Sequence, residues 1–182
     1  MPERADPQEL RRRIDAGEWV VDLRRRKVFA KGHLRGSLSF DGEGNAVTYL
    51  AWLIPWGTAL TLLADTAEQV TAMQRELVRV GIDRPAAHST GGPDQWAESP
   101  GDITSFPVVG FSEVAHARSH GQQPILLDAR RVSEWRDGHV DGCRNIPLHE
   151  LPGRVDEVAT WSAAAQHAGA DPRVWIYCGS GF

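Results

Sequence analysis

Short apolar runs alternate along this chain with stretches whose apolar residues fall at helical spacing. Trp19-Val-Val-Asp-Leu23, Leu60-Thr-Leu-Leu63, Pro85 to Ser89, Pro124-Ile-Leu-Leu-Asp-Ala129 and Arg173 to Tyr177 are four to six residues long, or close to it. They carry little polar alternation, as strands covered on both faces do. Between them, Leu10 and Ile14 share one face of a helix predicted from Pro7 to Ala16, with Asp6 as its N-cap and Gly17 closing it. Val70, Met73, Leu77 and Val80 line one face of a second, over Ala67 to Val80, which Gly81 ends. Further helices are expected over Thr48 to Leu53, Ser112 to His120 and Leu151 to Gln166, with a polar helical turn at 131 to 137. Asp41 to Asn45 reads as a turn, and Gly91-Gly92 as another, leading to Trp96. Alternating buried strands and helices define an α/β fold, a parallel sheet with helices on both faces.

The pattern occurs twice. A shift of 106 residues aligns Asp22 with Asp128, Arg24 with Arg130, Phe29 with Trp135, Gly32 with Gly138, His33 with His139 and Gly36 with Gly142, without a gap. Two homologous modules follow from this repeat. The expected boundaries are 1–98 for the first, 99–106 for a linker that begins at Ser99-Pro-Gly-Asp102, and 107–182 for the second.

Composition narrows the function. The chain has 182 residues, a net charge of −4 and 41% hydrophobic residues, which fits soluble globular modules and lacks the basic footprint of a nucleic-acid binder. Arg11 to Arg13 and Arg24 to Lys27 sit among acids and read as solvated faces. The longest apolar stretch, Tyr49 to Ala64, is broken by Pro55 and Gly57, so no membrane span is expected. The polar N-terminus does not resemble a secretion signal, which makes a cytoplasmic location the expectation. Two cysteines make no disulfide framework. His116 and His120 are helix neighbours with no third ligand nearby, so they read as surface residues and no metal or cofactor is expected. The seven tryptophans read as core and interface anchors.

The chemistry concentrates at the end of the last strand. Val174 to Tyr177 delivers Cys178 into Gly179-Ser180-Gly181-Phe182. Glycines let successive backbone N–H groups converge on one point, and a thiol placed there would have its thiolate stabilised. Cys178 is the candidate nucleophile and Gly179, Ser180, Gly181 and Phe182 the candidate anion-binding loop, against the alternative of an inert buried cysteine. Asp128 and Arg130 are candidate pocket residues that also suit a structural ion pair. Cys143, where the other module has Ser37, reads as a small packed residue. His33 and His139 read as backbone-bonding turn residues, Glu134 as surface and Trp135 as core.

Leu126-Leu-Asp-Ala-Arg130, Glu134-Trp135, Gly138-His-Val-x-Gly142, Asn145-Ile-Pro-Leu148 and Tyr177-Cys-Gly-Ser-Gly181 together resemble a rhodanese domain, a sulfurtransferase fold. Val21-Asp-Leu-Arg24, Gly32-His-Leu-x-Gly36 and Gly91-Gly92 with Trp96 repeat the resemblance in the first module. The pair, with Tyr49 to Gly57, is similar to the tandem rhodanese segment fused to metallo-β-lactamase-fold hydrolases. No His-x-His-x-Asp-His metal motif occurs in this sequence. The resemblance implies that Cys178 carries sulfane sulfur as a persulfide, taken from a donor such as thiosulfate and passed to a thiol or cyanide. Small sulfur-containing anions or persulfides are the implied ligands, and a metallo-β-lactamase-fold hydrolase the implied protein partner.

The modules differ at the reactive position. Ala64 follows the strand where the second module has Cys178, and Asp65 and Glu68 add negative charge, so the first module is expected to be catalytically silent. The family pattern continues past the reactive loop with a helix and a strand, for which the second module has no sequence after Phe182. Weak activity and self-association over an uncovered sheet face are the expectations. A cysteine-loop phosphatase or arsenate reductase and a non-catalytic interaction module remain the alternative functions.

Overall fold

Parallel pairing without a hairpin organises both halves of the chain. The structure, a computed structural model, describes residues 2–42 and 45–179. It divides into two compact units, Met1–Val108 and Val109–Phe182. In the first, β1 (Glu3–Arg4) and α1 (Pro7–Asp15) precede β2 (Trp19–Asp22), α2 (Arg26–Lys31), β3 (His33–Leu34) and β4 (Leu38–Ser39). Then come α3 (Ala46–Leu53), β5 (Leu60–Ala64), α4 (Ala67–Val78), β6 (Ala87–Thr90), α5 (Pro93–Trp96) and β7 (Ile103–Thr104). Five strands form one sheet in the order β1-β6-β5-β2-β4, every pair parallel.

Helices cover this sheet on both faces, as the strand pattern requires. Val21, Leu60 and Leu62 pack with Ala46 and Leu50 of α3 and with Val70, Met73 and Leu77 of α4. Val20, Leu63 and Ala87 face the other way, toward Leu10 of α1, Trp96 of α5 and Leu34. Asp6 caps α1 by accepting the Glu9 N–H at 2.8 Å. Gly36 has φ of +88°, and a Cβ there would stand 2.5 Å from Ile14 Cγ2, so the turn after β3 needs a residue without a side chain.

The second unit contains α6 (Phe111–Ser119), β8 (Ile125–Asp128), α7 (Val132–Asp137), β9 (Arg144–Asn145), α8 (Val155–His167) and β10 (Val174–Tyr177). Its parallel sheet runs β10-β8-β9. The register repeats that of the first unit: Val21 pairs with Leu38 as Leu127 pairs with Arg144, and Asp22 with Leu63 as Asp128 with Tyr177.

Several expectations shift. β1 and α2 are additional to the predicted elements. The helix expected over Leu151 to Gln166 is a 3-10 turn, Leu151–Gly153, followed by α8. Residues 99–106 hold a 3-10 turn and β7, which pairs antiparallel with β3, within the first unit. Arg24 is not on a solvated face but buried against Asp22. The tryptophans divide: Trp96 is fully buried, whereas Trp56 is 93% exposed and Trp52 about half. Trp135 is half-buried rather than core. The expected absence of a helix and strand from the second unit concerns positions after Phe182, and the described residues stop at Gly179.

Leu62 and Ile176 hold the same register position: Leu62 pairs with Val21 and Ile176 with Leu127, each partner one place before the aspartate that ends its strand. Leu62 is fully buried against α4, and Ile176 is 59% exposed. Leu62→Ala is therefore expected to cost about 2–5 kcal/mol. Ile176→Ala is expected to stay within about 0.5 kcal/mol of the parent. Urea denaturation of both variants checks the contrast.

Candidate active site

The site is built where β8 and β10 end side by side. Tyr177 pairs with Asp128 in the parallel register, and the Ala129 N–H donates to the Tyr177 carbonyl at 2.9 Å. Cys178 is the next residue, at the carboxyl end of the sheet, the edge of open α/β sheets where ligands bind. Cys178 is half-buried and Gly179 exposed, so this is not a sealed interior position. Ser180, Gly181 and Phe182 of the expected anion loop lie outside the described residues.

Asp128 and Arg130 are brought to this edge. The fully buried Asp128 carboxylate accepts the Arg130 backbone N–H at 2.9 Å, its Nε at 3.0 Å and its Nη2 at 2.7 Å. Arg130 Nη2 also donates to the Gly138 carbonyl at 2.8 Å. Asn145 Nδ2 donates to the carbonyls of Asp128 and Arg130, pinning the turn from β9. Burial pushes the Asp128 carboxyl up, but the Arg130 and Tyr177 hydrogen bonds and the Arg130 charge outweigh it and hold the group below the usual carboxylate range. Hydrogen bonding to Asp128, opposed by partial burial, raises the Arg130 guanidinium further above its ordinary value. The ion-pair reading of these two residues is the geometry observed, and it leaves the Arg130 side chain 20% exposed beside the turn.

Both acid and base border Gly179. A Cβ placed on Gly179 would stand 3.4 Å from Glu134 Oε1 and 3.9 Å from Arg130 Cδ. Glu134 was expected at the surface; it is exposed, yet α7 carries its carboxylate to the turn after β10. Its other oxygen accepts the Arg131 N–H at 3.2 Å, capping the first turn of α7. A sequence signal for it existed: the shift of 106 places Val28 opposite Glu134, a change of chemistry between otherwise matched copies.

Cys143 is removed from this chemistry by its own contacts. The Trp135 indole N–H donates to its Sγ at 3.4 Å and the Tyr177 hydroxyl at 3.3 Å. Burial and the Cys143 contact push the Tyr177 phenol well above its ordinary range. His139 Nδ1 lies 2.8 Å from the Trp135 carbonyl and stacks on that indole, and His33 repeats the arrangement on Phe29. Both turn histidines thus bond backbone, as expected.

The same edge of the first unit is filled by the chain itself. Ala64 is fully buried and its carbonyl accepts the Gly91 N–H at 3.1 Å. The following helix start is closed by a reciprocal pair, Gln69 N–H to Thr66 Oγ1 and Thr66 N–H to Gln69 Oε1. Glu68, in the same turn, has its carboxyl lowered by its own backbone N–H and by the Thr66 hydroxyl.

Residues 112–182, within the second unit, match the family model described as Rhodanese-like domain. Over 53 residues the chain is 38% identical to the uncharacterized protein YqhL of Bacillus subtilis, covering 29% of this chain and 34% of that relative. The match thus spans about a third of the relative's length. Among solved structures, the chain is similar to the rhodanese-like domain of an Anabaena sp. protein, with TM-score 0.44 and 18% identity over 60% of this chain and 93% of that one. It is also similar to the thiosulfate sulfurtransferase of Pseudomonas aeruginosa, with TM-score 0.43 and 16% identity over 99% of this chain and 39% of that one. Among the described residues no helix is long and apolar enough to cross a membrane, and no group of three or more His, Cys, Asp or Glu could hold a metal ion.

Proposed function

We propose that the second unit is a sulfurtransferase module in which Cys178 is the nucleophile. The observation that carries this reading is the position of Cys178: a half-buried cysteine at the carboxyl end of a parallel sheet, one residue before the Gly179 that Arg130 borders, in a rhodanese-like domain. The Cys178 thiolate attacks the outer sulfur of thiosulfate. A new S–S bond forms on the protein, the donor's S–S bond breaks, and sulfite leaves with the electron pair. An acceptor thiolate or cyanide then takes the outer sulfur and the Cys178 thiolate is regenerated. Gly179 and the loop residues Ser180, Gly181 and Phe182 supply the backbone donors in this reading.

The first unit is, in the same proposal, a silent copy. Ala64 offers no nucleophile, and Thr66, Gln69 and Glu68 already satisfy the helix start where an anion would bind. That silent half favours a second reading, an interaction module, for residues 1–108.

Incubation with thiosulfate or an organic hydropersulfide, followed by intact mass measurement, tests the assignment. Gain of one sulfur atom that cyanide removes is the expected result. Turnover of an aryl phosphate without sulfur uptake would instead identify a cysteine-loop phosphatase, and neither result would leave an interaction module.

A further inference from the structure

Among the described residues, the turn after β10 is bordered by Arg130, which is paired with Asp128, and by Glu134, which forms no ion pair. Arg130 is bound through two nitrogens to Asp128, so that pair contributes little net charge at the turn. Glu134 adds a carboxylate whose Oε1 lies 3.4 Å from where a Cβ on Gly179 would be, one residue from Cys178. The sum of Asp128, Arg130 and Glu134 at this edge is one negative charge. In the first unit the corresponding position is Val28, so the carboxylate belongs only to the copy that has a cysteine.

We propose that Glu134 is a specificity-determining residue that selects sulfur donors by charge. It discriminates against the thiosulfate dianion in favour of an organic hydropersulfide that carries no other charge. This inference rests on the sulfurtransferase reading of Cys178. The carboxylate repels a dianion twice as strongly as a monoanion and an uncharged donor hardly at all. With a hydropersulfide RSSH, the Cys178 thiolate attacks the terminal sulfur. The S–S bond of the donor breaks, RS⁻ leaves, and the proton remains on the new Cys178 persulfide, so atoms, electrons and charge balance.

The test compares thiosulfate with benzyl hydropersulfide as donors to the full chain and to Glu134→Gln. Glutamine keeps a carbonyl oxygen able to accept the Arg131 N–H, so the first turn of α7 stays capped. The variant is expected to load sulfur from thiosulfate about tenfold faster while its rate with benzyl hydropersulfide changes less than about twofold. Added salt is expected to accelerate thiosulfate loading of the parent protein by screening the repulsion, and to do so much less in the variant. A merely structural Glu134 would not move that salt dependence. An unchanged ratio of the two donor rates, or equal salt slopes in both proteins, overturns the proposal while leaving the sulfurtransferase reading in place. If neither protein takes sulfur from either donor, both fall.

Discussion

Cys178→Ala is expected to abolish sulfur uptake from thiosulfate and from hydropersulfides, and Cys143→Ala to leave it intact. The two thiols are the chain's only cysteines, so the pair of variants assigns any bound sulfur to one atom. Their surroundings differ in kind. Cys178 stands at the end of β10 next to a glycine, with the exposed edge of Arg130 and the carboxylate of Glu134 beside that glycine. Cys143 Sγ is held by the Trp135 indole and by the Tyr177 hydroxyl, whose oxygen in turn accepts the Val140 N–H at 3.4 Å. Loss of Cys143 removes the acceptor of two weak hydrogen bonds, with an expected cost of about 1–2 kcal/mol in stability. Intact mass after incubation reads uptake, and urea denaturation reads stability. Uptake retained in Cys178→Ala and lost in Cys143→Ala would move the nucleophile to the turn between α7 and β9.

The reason the repeat is visible in the sequence is physical. Strands buried on both faces must be apolar throughout, and Gly36 and Gly142 both adopt positive φ, so these positions tolerate few residues. The register then follows, because Asp22 and Asp128 end central strands in the same way. The elements that escaped are those without such constraints. β1 is two residues of charged sequence whose pairing with β6 is decided by distant backbone. α2 begins at Arg26 with no side-chain cap and reads as a charge run. Arg24 looked solvated because basic residues in sequence usually are, yet it folds back on a carboxylate two residues away and buries it. Position in the sequence also says little about how Glu134 meets Gly179, since that approach depends on how α7 lies across the end of β10. Only the contrast with Val28 hinted at it.

That buried pair of the first unit supplies the other large effect. Asp22→Ala is expected to destabilise the first unit by about 3–5 kcal/mol, because it strands a buried guanidinium. Asp22 is fully buried and accepts the Arg24 backbone N–H at 2.9 Å, its Nε at 3.0 Å and its Nη2 at 2.6 Å. Arg24 donates once more, to the Gly32 carbonyl at 2.8 Å, and lies 4.9 Å from the centre of the buried Trp96 ring. Its side chain is only 5% exposed, so water cannot replace the carboxylate. Asp128→Ala removes the same bonds in the second unit, but Arg130 is 20% exposed and can turn toward solvent, which limits the expected loss to about 1–3 kcal/mol. Urea denaturation of the two variants measures the difference. The double change Asp22→Ala with Arg24→Met is expected to recover part of the loss, since it removes the uncompensated charge and keeps an apolar side chain against Trp96. Equal losses from Asp22→Ala and Asp128→Ala would show that exposure of the arginine does not set the cost.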